Sequence, residues 1–294
     1  MIEKVGVIGC GAMGAGIAQV ILEAGYKVVV REIDSALLDK GLSAIKKGVE
    51  RSIEKGTLSG STKDQVFARL SGTLALEDLK DCGLIIEAAF EEIGIKKELF
   101  KSLDGICPGE TILASNTSSL SITEMASATK RQERIVGLHF FNPAQMMALV
   151  EVVKTIATPD EMVEVLFNFS RSLKKVPVLA KDNRGFIVNL LLTPYLMDAI
   201  RAVGNGVASI QDIDSGMKLG CGHPMGPLML ADFIGLDVLF KGTTSMFDEY
   251  KDSRYAPPPL LIQLVRMGYI GRKVGKGFYD WSDPKNPVPQ SLKF

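Results

Sequence analysis

The first part of the chain alternates between short, continuous apolar runs and longer stretches whose apolar residues recur at helical spacing. Apolar runs occupy 5–8 and 84–89, and only Glu87 interrupts the second; such runs are typical of parallel strands buried on both faces. Between them, apolar residues recur from Ile17 to Leu22, and Gly25 ends that helix. We therefore predict an α/β fold built on a mostly parallel, doubly wound sheet.

The same pattern predicts the other elements of this part of the chain. They are a strand at 26–30, a helical hairpin rich in Lys and Glu at 35–70, a helix at 95–103 and a strand at 111–114. The hairpin would be an insertion into the alternation of strands and helices.

The pattern changes near Lys181–Gly185, and helical periodicity dominates the residues that follow. Helices are predicted at 186–203, from 209 onward, within 226–250 and at 258–267. We therefore predict two domains: residues 1–184 form the α/β domain, and residues 185–294 form an all-α domain.

Composition and charge exclude several classes of function. Lys plus Arg number 34, as do Asp plus Glu, so the chain lacks the basic footprint of a nucleic-acid-binding protein. The most apolar stretch, 186–200, is interrupted by Asn189, Pro194 and Asp198, which argues against a membrane span. A strand pattern begins almost at the first residue and leaves no room for a signal peptide. The four scattered cysteines indicate reduced thiols in the cytoplasm and no metal site.

A glycine-rich turn follows the first predicted strand and opens the first predicted helix. Its sequence is Gly9-Cys10-Gly11-Ala12-Met13-Gly14. In a dinucleotide site the first glycine permits the tight turn, the second admits the pyrophosphate, and the third allows close packing of the helix on the sheet. The helix N-terminus, where Ala12 and Met13 lie, offers free N–H groups to the phosphates. Gly9, Gly11, Ala12, Met13 and Gly14 are therefore candidate cofactor-binding residues.

An acid at the end of the second predicted strand completes this pattern. Glu32 could accept hydrogen bonds from both adenosine ribose hydroxyls, and its charge would repel a 2′-phosphate. Arg31 precedes it and could meet such a phosphate, but strand alternation predicts that Arg31 points to the opposite face. The pattern therefore favours NAD over NADP.

His139 is one of only two histidines, and it lies in a predicted strand that ends at Asn142-Pro143. Glu151 follows in the apolar run 149–153, which is the next predicted strand. Two strands joined by a short loop can bring the imidazole and the carboxylate within hydrogen-bond reach. Such a carboxylate fixes the tautomer and makes the imidazole a general base for a hydroxyl proton. A buried histidine satisfied by a nearby acid is the structural alternative.

Three other polar residues have both a functional and a structural explanation. Asn116 and Ser118 follow the strand at 111–114, where open α/β sheets bind ligands, but such residues also form turns and cap helices. Asn189 lies in an otherwise apolar helix, so its amide belongs either to a site or to a hydrogen-bonded core.

Several motifs, in order along the chain, resemble those of the L-3-hydroxyacyl-CoA dehydrogenases, in particular the short bacterial 3-hydroxybutyryl-CoA dehydrogenases. The resemblance covers Val5 to about Trp281. Its motifs are GCGAMGAGIA at 9–18, ASNTSSL at 114–120, HFFNP at 139–143, GFIVN at 185–189, HPMGP at 223–227 and GRKVGKGFY at 271–279.

The resemblance implies an N-terminal Rossmann-like, NAD-binding domain and a helical C-terminal domain that binds substrate and forms a homodimer. It also implies reversible oxidation of an L-3-hydroxyacyl-CoA to the 3-ketoacyl-CoA. His139 corresponds to the general base and Glu151 to its orienting carboxylate, while Ser118 and Asn189 correspond to residues that hold the reacting end of the substrate. The resemblance adds cofactor contacts at Glu91, Lys96, Asn116, Asn142 and Lys273, and a CoA contact at Lys55.

Three positions depart from the family pattern. Ala148 replaces a lysine in the stretch 145–148, Arg184 replaces a proline and Leu190 replaces an arginine. The missing lysine leaves open a second function, the oxidation of a 3-hydroxy acid or sugar acid without CoA. A third hypothesis is a dinucleotide-binding protein that has no catalytic activity.

Overall fold

The computed structural model describes residues 2–58 and 62–292. The chain divides into two compact units, Met1–Phe186 and Ile187–Phe294. The first unit is built on a sheet, and the second is mainly helical.

The first unit contains eight strands and six α-helices within its described residues. The strands are β1 (Lys4–Ile8), β2 (Lys27–Arg31), β3 (Leu70–Thr73), β4 (Leu84–Glu87), β5 (Ile112–Ser115), β6 (Ile135–Phe140), β7 (Leu149–Lys154) and β8 (Val176–Lys181). The helices are α1 (Ala12–Glu23), α2 (Ser35–Glu54), α3 (Lys63–Phe67), α4 (Ile93–Ile106), α5 (Ile122–Ala126) and α6 (Asp160–Ser172).

The strands form one sheet in the order β3-β2-β1-β4-β5-β6-β7-β8. Strands β1 to β6 are parallel, β7 pairs antiparallel with β6, and β8 is parallel to β7. The direction of winding reverses between β1 and β4, and ligands of doubly wound sheets bind beyond the carboxyl ends of the strands at such a point.

Apolar side chains fill both faces of the sheet. In β2, Val28 and Val30 join one buried cluster while Val29 joins the other, as expected because successive side chains of a strand point to opposite faces. Helices cover both clusters, which confirms the predicted doubly wound α/β class.

The predicted helical hairpin has arms of very unequal length. α2 has 20 residues and α3 has five, while residues 59–61 of the predicted hairpin lie outside the described residues. α2 packs closely on α1, since a Cβ at Gly48 would lie 2.0 Å from Oε1 of Gln19. The two helices lie within the predicted hairpin at 35–70, and the edge strand β3 begins at its last residue.

The second unit contains five helices and one short strand pair within its described residues. The helices are α7 (Val188–Gly204), α8 (Ile210–Cys221), α9 (Pro227–Ile234), α10 (Leu236–Tyr250) and α11 (Pro259–Arg266), and the strands are β9 (Tyr279–Asp280) and β10 (Val288–Pro289). This unit is mainly helical, as predicted, and the short antiparallel β9–β10 pair is its one addition to the helices among the described residues.

Two helix boundaries differ from the predictions, and positive backbone φ angles explain both. The helix predicted from 186 begins at Val188, because Gly185 and Phe186 have φ angles of 86° and 47°, which a right-handed helix excludes. The run predicted within 226–250 splits at Gly235, where φ is 100°. Within 2–58 and 62–292, no helix is both long enough and apolar enough to cross a bilayer.

Two buried carboxylates tie the second unit together. Asp214 accepts the N–H groups of Leu228 and Met229 at 2.8 and 2.9 Å and the hydroxyl of Tyr279 at 2.7 Å. Asp232 accepts the N–H groups of residues 278 and 279 and the indole N–H of Trp281 at 2.8–2.9 Å. These bonds fix the segment around β9 to α8 and α9.

Candidate active site

The glycine-rich turn between β1 and α1 has the backbone geometry that a dinucleotide requires. Gly9 has a φ of 88°, in the left-handed region. A Cβ at Gly14 would lie 1.8 Å from the carbonyl oxygen of Gly9, whereas a Cβ at Gly11 would meet nothing within 4 Å. The first and third glycines thus serve the fold, and the second leaves room for a phosphate to approach the N-terminus of α1, where Ala12 and Met13 lie.

Glu32 lies directly after β2 and is almost completely buried. Its Oε1 accepts the N–H of Cys10 at 2.5 Å, and its Oε2 accepts the N–H of Ile33 at 3.0 Å. Arg31 donates instead to the carbonyl of Leu74 at 3.2 Å. The carboxylate is therefore fixed beside the glycine-rich turn. Burial, with a smaller contribution from Glu32, raises the pKa of the Cys10 thiol to about 12.

A buried ion pair lies at the carboxyl end of β4. The ammonium of Lys96, 1% exposed, lies 2.5 Å from Glu87 and 3.3 Å from Glu91. Glu87 also accepts the hydroxyl of Ser115 at 2.6 Å and the N–H of Ala89 at 2.7 Å. Sequence reasoning proposed Glu91 and Lys96 but missed Glu87, although a charge in an otherwise apolar strand run was the available signal.

The loop that carries Ser118 is fixed on both sides of that residue. Glu91 accepts the hydroxyls of Thr117 and Ser119, the latter at 3.2 Å. Arg184 donates to the carbonyl of Ser119 at 2.9 Å, so the arginine in place of the family's proline anchors this loop. Ser118 itself is half-buried between these two anchored neighbours.

Asn116 connects the same loop to β6. Its side-chain oxygen accepts the N–H of Phe140 at 2.8 Å, and its own N–H donates to the carbonyl of Glu87 at 2.7 Å. Asn116 therefore holds the ends of β4, β5 and β6 in register. Its amide group has a structural role whatever else it contacts.

His139 and Glu151 face each other across the antiparallel pair of β6 and β7. The two residues are direct register partners, and Nδ1 of the imidazole lies 2.7 Å from Oε2 of the carboxylate. Both side chains are buried, with residue exposures of 5% and 0%. Because the carboxylate accepts the Nδ1 proton, Nε2 is the nitrogen left to take a proton. The contact expected from the sequence is thus present.

The remaining candidates occupy separate places in the chain. Asn142 is exposed two residues after the end of β6, and Lys55 is exposed at the C-terminus of α2. Asn189 is half-buried in the first turn of α7, in the second unit. Lys273, also in the second unit, lies in a single 3₁₀ turn and pairs with Asp237 at 2.7 Å.

No group of three or more His, Cys, Asp or Glu side chains in the described part of the chain could hold a metal ion. The carboxyl ends of the strands carry a dinucleotide turn, an acid after β2 and a buried His–Glu pair. A mostly parallel sheet with these features defines a dehydrogenase that uses a nicotinamide dinucleotide.

The chain belongs to the 3-hydroxyacyl-CoA dehydrogenase family. Residues 4–183 match the model of that family's NAD binding domain, and residues 185–281 match the model of its C-terminal domain. The residues of the glycine-rich turn and Glu32 fit NAD as the cofactor.

Individual relatives agree with this assignment. The chain is 44% identical over 279 residues to a 3-hydroxybutyryl-CoA dehydrogenase of Clostridioides difficile, covering 95% of this chain and 99% of that protein. It is 43% identical to the mitochondrial hydroxyacyl-coenzyme A dehydrogenase of Homo sapiens, covering 96% and 92%. The crystal structure of (S)-3-hydroxybutyryl-CoA dehydrogenase from Ralstonia eutropha matches with a TM-score of 0.92 and 41% identity, covering 96% and 100%.

Proposed function

We propose that this chain catalyses the reversible, NAD-dependent oxidation of an L-3-hydroxyacyl-CoA to the 3-ketoacyl-CoA, with short-chain substrates such as 3-hydroxybutyryl-CoA. The buried contact between His139 and Glu151, at 2.7 Å, carries the proposal. The contact supplies a base of fixed tautomer near the carboxyl ends of the parallel strands, where the dinucleotide turn also lies. The names of the relatives support the choice of substrate.

In this proposal His139 removes the proton from the substrate hydroxyl through Nε2. Glu151 holds the ring in the tautomer that leaves Nε2 free of a proton, and it stabilises the imidazolium that forms. NAD, when bound, supplies the hydride acceptor. In the reverse direction the imidazolium returns the proton to the developing alkoxide.

The remaining candidates bind and orient the reactants. We assign Ser118 and Asn189 to the reacting end of the substrate and Lys55 to CoA. We assign the cofactor to the turn Gly9–Gly14, Glu32 and the family positions, which are Glu91, Lys96, Asn116, Asn142 and Lys273. Glu91 and Lys96 already share a hydrogen-bonded network with the Ser118 loop, which supports their place near the reacting atoms.

The first experiment follows absorbance at 340 nm with acetoacetyl-CoA and either NADH or NADPH. We expect rapid oxidation of NADH and poor use of NADPH, because the Glu32 carboxylate repels a 2′-phosphate. Free acetoacetate in place of the thioester tests the alternative of a substrate without CoA, which the absence of a lysine at Ala148 motivates. Binding of NADH with no turnover of either substrate would favour a protein that is not an enzyme.

The His139→Ala variant tests the base directly. We expect kcat to fall by about a hundredfold or more, the range for a lost general base. His223→Gln is the matched control, because His223 is the only other histidine and its Nδ1 pairs with Tyr195 at 3.0 Å in the second unit. Equal rates for His139→Ala and the wild type would remove the base assignment.

The Glu151→Gln variant separates orientation from folding. We expect a lower kcat with near-normal NADH affinity, since an amide cannot stabilise the imidazolium as a carboxylate does. A loss of NADH affinity or of folding would instead make Glu151 a structural residue.

We further propose a cytoplasmic homodimer whose substrate and dimerisation domain comprises residues 185–294. The family resemblance supports the dimer, and the four free cysteines support a reducing compartment. Light scattering at micromolar concentration tests the assembly, and a monomer mass would remove that part of the proposal.

A further inference from the structure

Two phenylalanine rings flank the imidazole of His139. The ring centroid of Phe141 lies 4.5 Å from that of His139 with an interplanar angle of 50°, and that of Phe186 lies 5.7 Å away at 58°. Both distances fall within the range of direct aromatic contacts. The first unit thus encloses the imidazole with two aromatic rings in addition to its hydrogen-bond partner.

The two rings come from different parts of the first unit. Phe141 follows His139 by two positions, directly after the end of β6, and its ring contact places the two side chains on the same side of the chain. Phe186 arrives from beyond β8 and is 3% exposed, in the same apolar cluster as Ile122 and Val153. The contact between Phe186 and His139 therefore joins the end of the first unit to the proposed base.

The backbone at Phe186 is strained. Its φ is 47°, in the left-handed region, and it follows Gly185 at 86°. A bulky residue rarely adopts this conformation and does so only where the surrounding structure imposes it. Here the N–H of Phe186 donates to the carbonyl of Asn183 at 2.8 Å, and the strained turn directs the ring into the buried cluster.

The contact with Glu151 alone does not fix the imidazole. A hydrogen bond at Nδ1 holds one corner of the ring, and the χ2 torsion of histidine is intrinsically broad. The plane of the ring, and hence the direction of Nε2, depends on what touches its faces.

We infer that Phe141 and Phe186 are positioning residues that hold the plane of the His139 imidazole and exclude water from its hydrogen bond to Glu151. The inference rests on the proposed function, because the aim of Nε2 matters only if His139 is the base. Neither ring touches the reacting atoms in this role; both act through His139.

The test compares Phe186→Leu with Phe100→Leu. Phe100 lies in α4, is fully buried in the same cluster and, among the described residues, is not part of the aromatic contacts of His139. Both variants lose one aromatic ring from one core, so their losses of thermal stability should be similar. We expect kcat with acetoacetyl-CoA and NADH to fall about tenfold or more in Phe186→Leu, as for a misaligned catalytic group, with both KM values within about twofold. Phe100→Leu should keep the wild-type kcat.

A second measurement does not depend on turnover. The chain has two histidines, so the imidazole N–H signals in a ¹H–¹⁵N spectrum are assigned by the His223→Gln variant. We expect the Nδ1 proton of His139 to exchange slowly with water in the wild type and in Phe100→Leu, and rapidly in Phe186→Leu.

The half-buried Phe141 provides a rescue experiment. Phe141→Leu should lower kcat as Phe186→Leu does, whereas Phe141→Tyr keeps an aromatic face and should retain most of the activity.

The outcomes distinguish the inference from the function on which it rests. A wild-type protein that does not turn over acetoacetyl-CoA would overturn the proposed function, while slow exchange lost only in Phe186→Leu would still support the aromatic enclosure. An active wild type whose kcat and exchange rate are the same in Phe186→Leu and Phe100→Leu would overturn the inference.

Discussion

The Glu87 carboxylate is the buried negative charge around which the polar groups at the carboxyl end of β4 are arranged. It is fully buried and accepts hydrogen bonds from Lys96, Ser115 and the backbone at Ala89. Removing one partner of a buried ion pair is costly because the other charge remains away from water. Glu87 therefore stabilises the fold and fixes the ammonium of a proposed cofactor residue.

We expect Glu87→Gln to lower the free energy of unfolding by about 3 kcal/mol, the lower end of the range for a broken buried pair, because Glu91 remains near Lys96. Urea unfolding followed by circular dichroism measures the change. The exposed Glu98 of α4 gives a control, Glu98→Gln, that should change stability by less than about 0.5 kcal/mol. Equal stabilities of the two variants would contradict the assigned role.

The cysteines differ in burial, and we expect their reactivity toward alkylating reagents to differ accordingly. Burial raises the pKa of Cys10 to about 12 and that of Cys82 to about 11, so at pH 8 almost no thiolate forms at either. Cys221 is exposed at the end of α8. We expect iodoacetamide at pH 8 to modify Cys221 and leave Cys10 intact in the folded protein.

Mass spectrometry of tryptic peptides measures this labelling. Because the pKa of Cys10 is raised, its labelling should become appreciable only as the pH rises toward that value. Labelling of Cys10 as fast as that of Cys221 at pH 8 would show that the glycine-rich turn opens readily.

For single residues, the sequence predicts the role of a side chain when that role follows from the residue's own type and immediate neighbours. It misses the roles that depend on contacts with residues distant in the sequence. Gly9 is predicted because only a glycine suits its turn, and the structure gives it a positive φ. Lys96 has the sequence context of a solvated helix start, yet the structure buries it against Glu87. No local pattern shows that a residue nine positions earlier supplies its counter-charge.

At the scale of elements, β6 and β7 position His139 and Glu151 through their backbone register. Apolar runs on both sides of Asn142-Pro143 were sufficient to predict this contact. The break before α7 was not predictable, because the residues around 186 are apolar in a helical pattern while the positive φ of Phe186 comes from its tertiary packing. The role of Arg184 was likewise not predictable, because its side chain anchors the loop after β5, which is distant in the sequence.

Asp232 joins two elements of the second unit. From α9 it accepts hydrogen bonds from three N–H donors in the segment around β9. In Asp232→Asn the amide nitrogen replaces one carboxylate oxygen, so at least one buried N–H loses its acceptor. We expect a loss of about 1–3 kcal/mol of stability.

Fluorescence measures the effect locally, because Trp281 is the only tryptophan and donates to Asp232. Its emission should shift to longer wavelength in Asp232→Asn as water reaches the indole. Asp248→Asn, which removes an exposed pair with Lys251, should leave both emission and stability unchanged within about 0.5 kcal/mol.

At the scale of the whole molecule, a ligand that binds only the folded chain stabilises it by mass action. We expect NADH at a hundred times its Kd to raise the free energy of unfolding by about 2.7 kcal/mol. NADPH at the same concentration should give a smaller shift, because Glu32 is fixed beside the glycine-rich turn. Thermal unfolding with each nucleotide compares them, and an equal shift would remove the role of Glu32 in cofactor choice.

The antiparallel pairing of β6 and β7 makes the position of the proposed base independent of most of the loop that joins the two strands. The backbones of β6 and β7 hold His139 opposite Glu151, so residues 143–148 of the connection, which lie beyond Phe141 and Asn142, can change their side chains without moving the imidazole or the carboxylate. In this chain that connection carries Gln145, Met146 and Met147, and Ala148 at the departing position. A change confined to that stretch leaves the proton chemistry of the strand pair in place, and the strand pair with its two phenylalanine contacts would be the unit to transplant when such a base is engineered into another sheet.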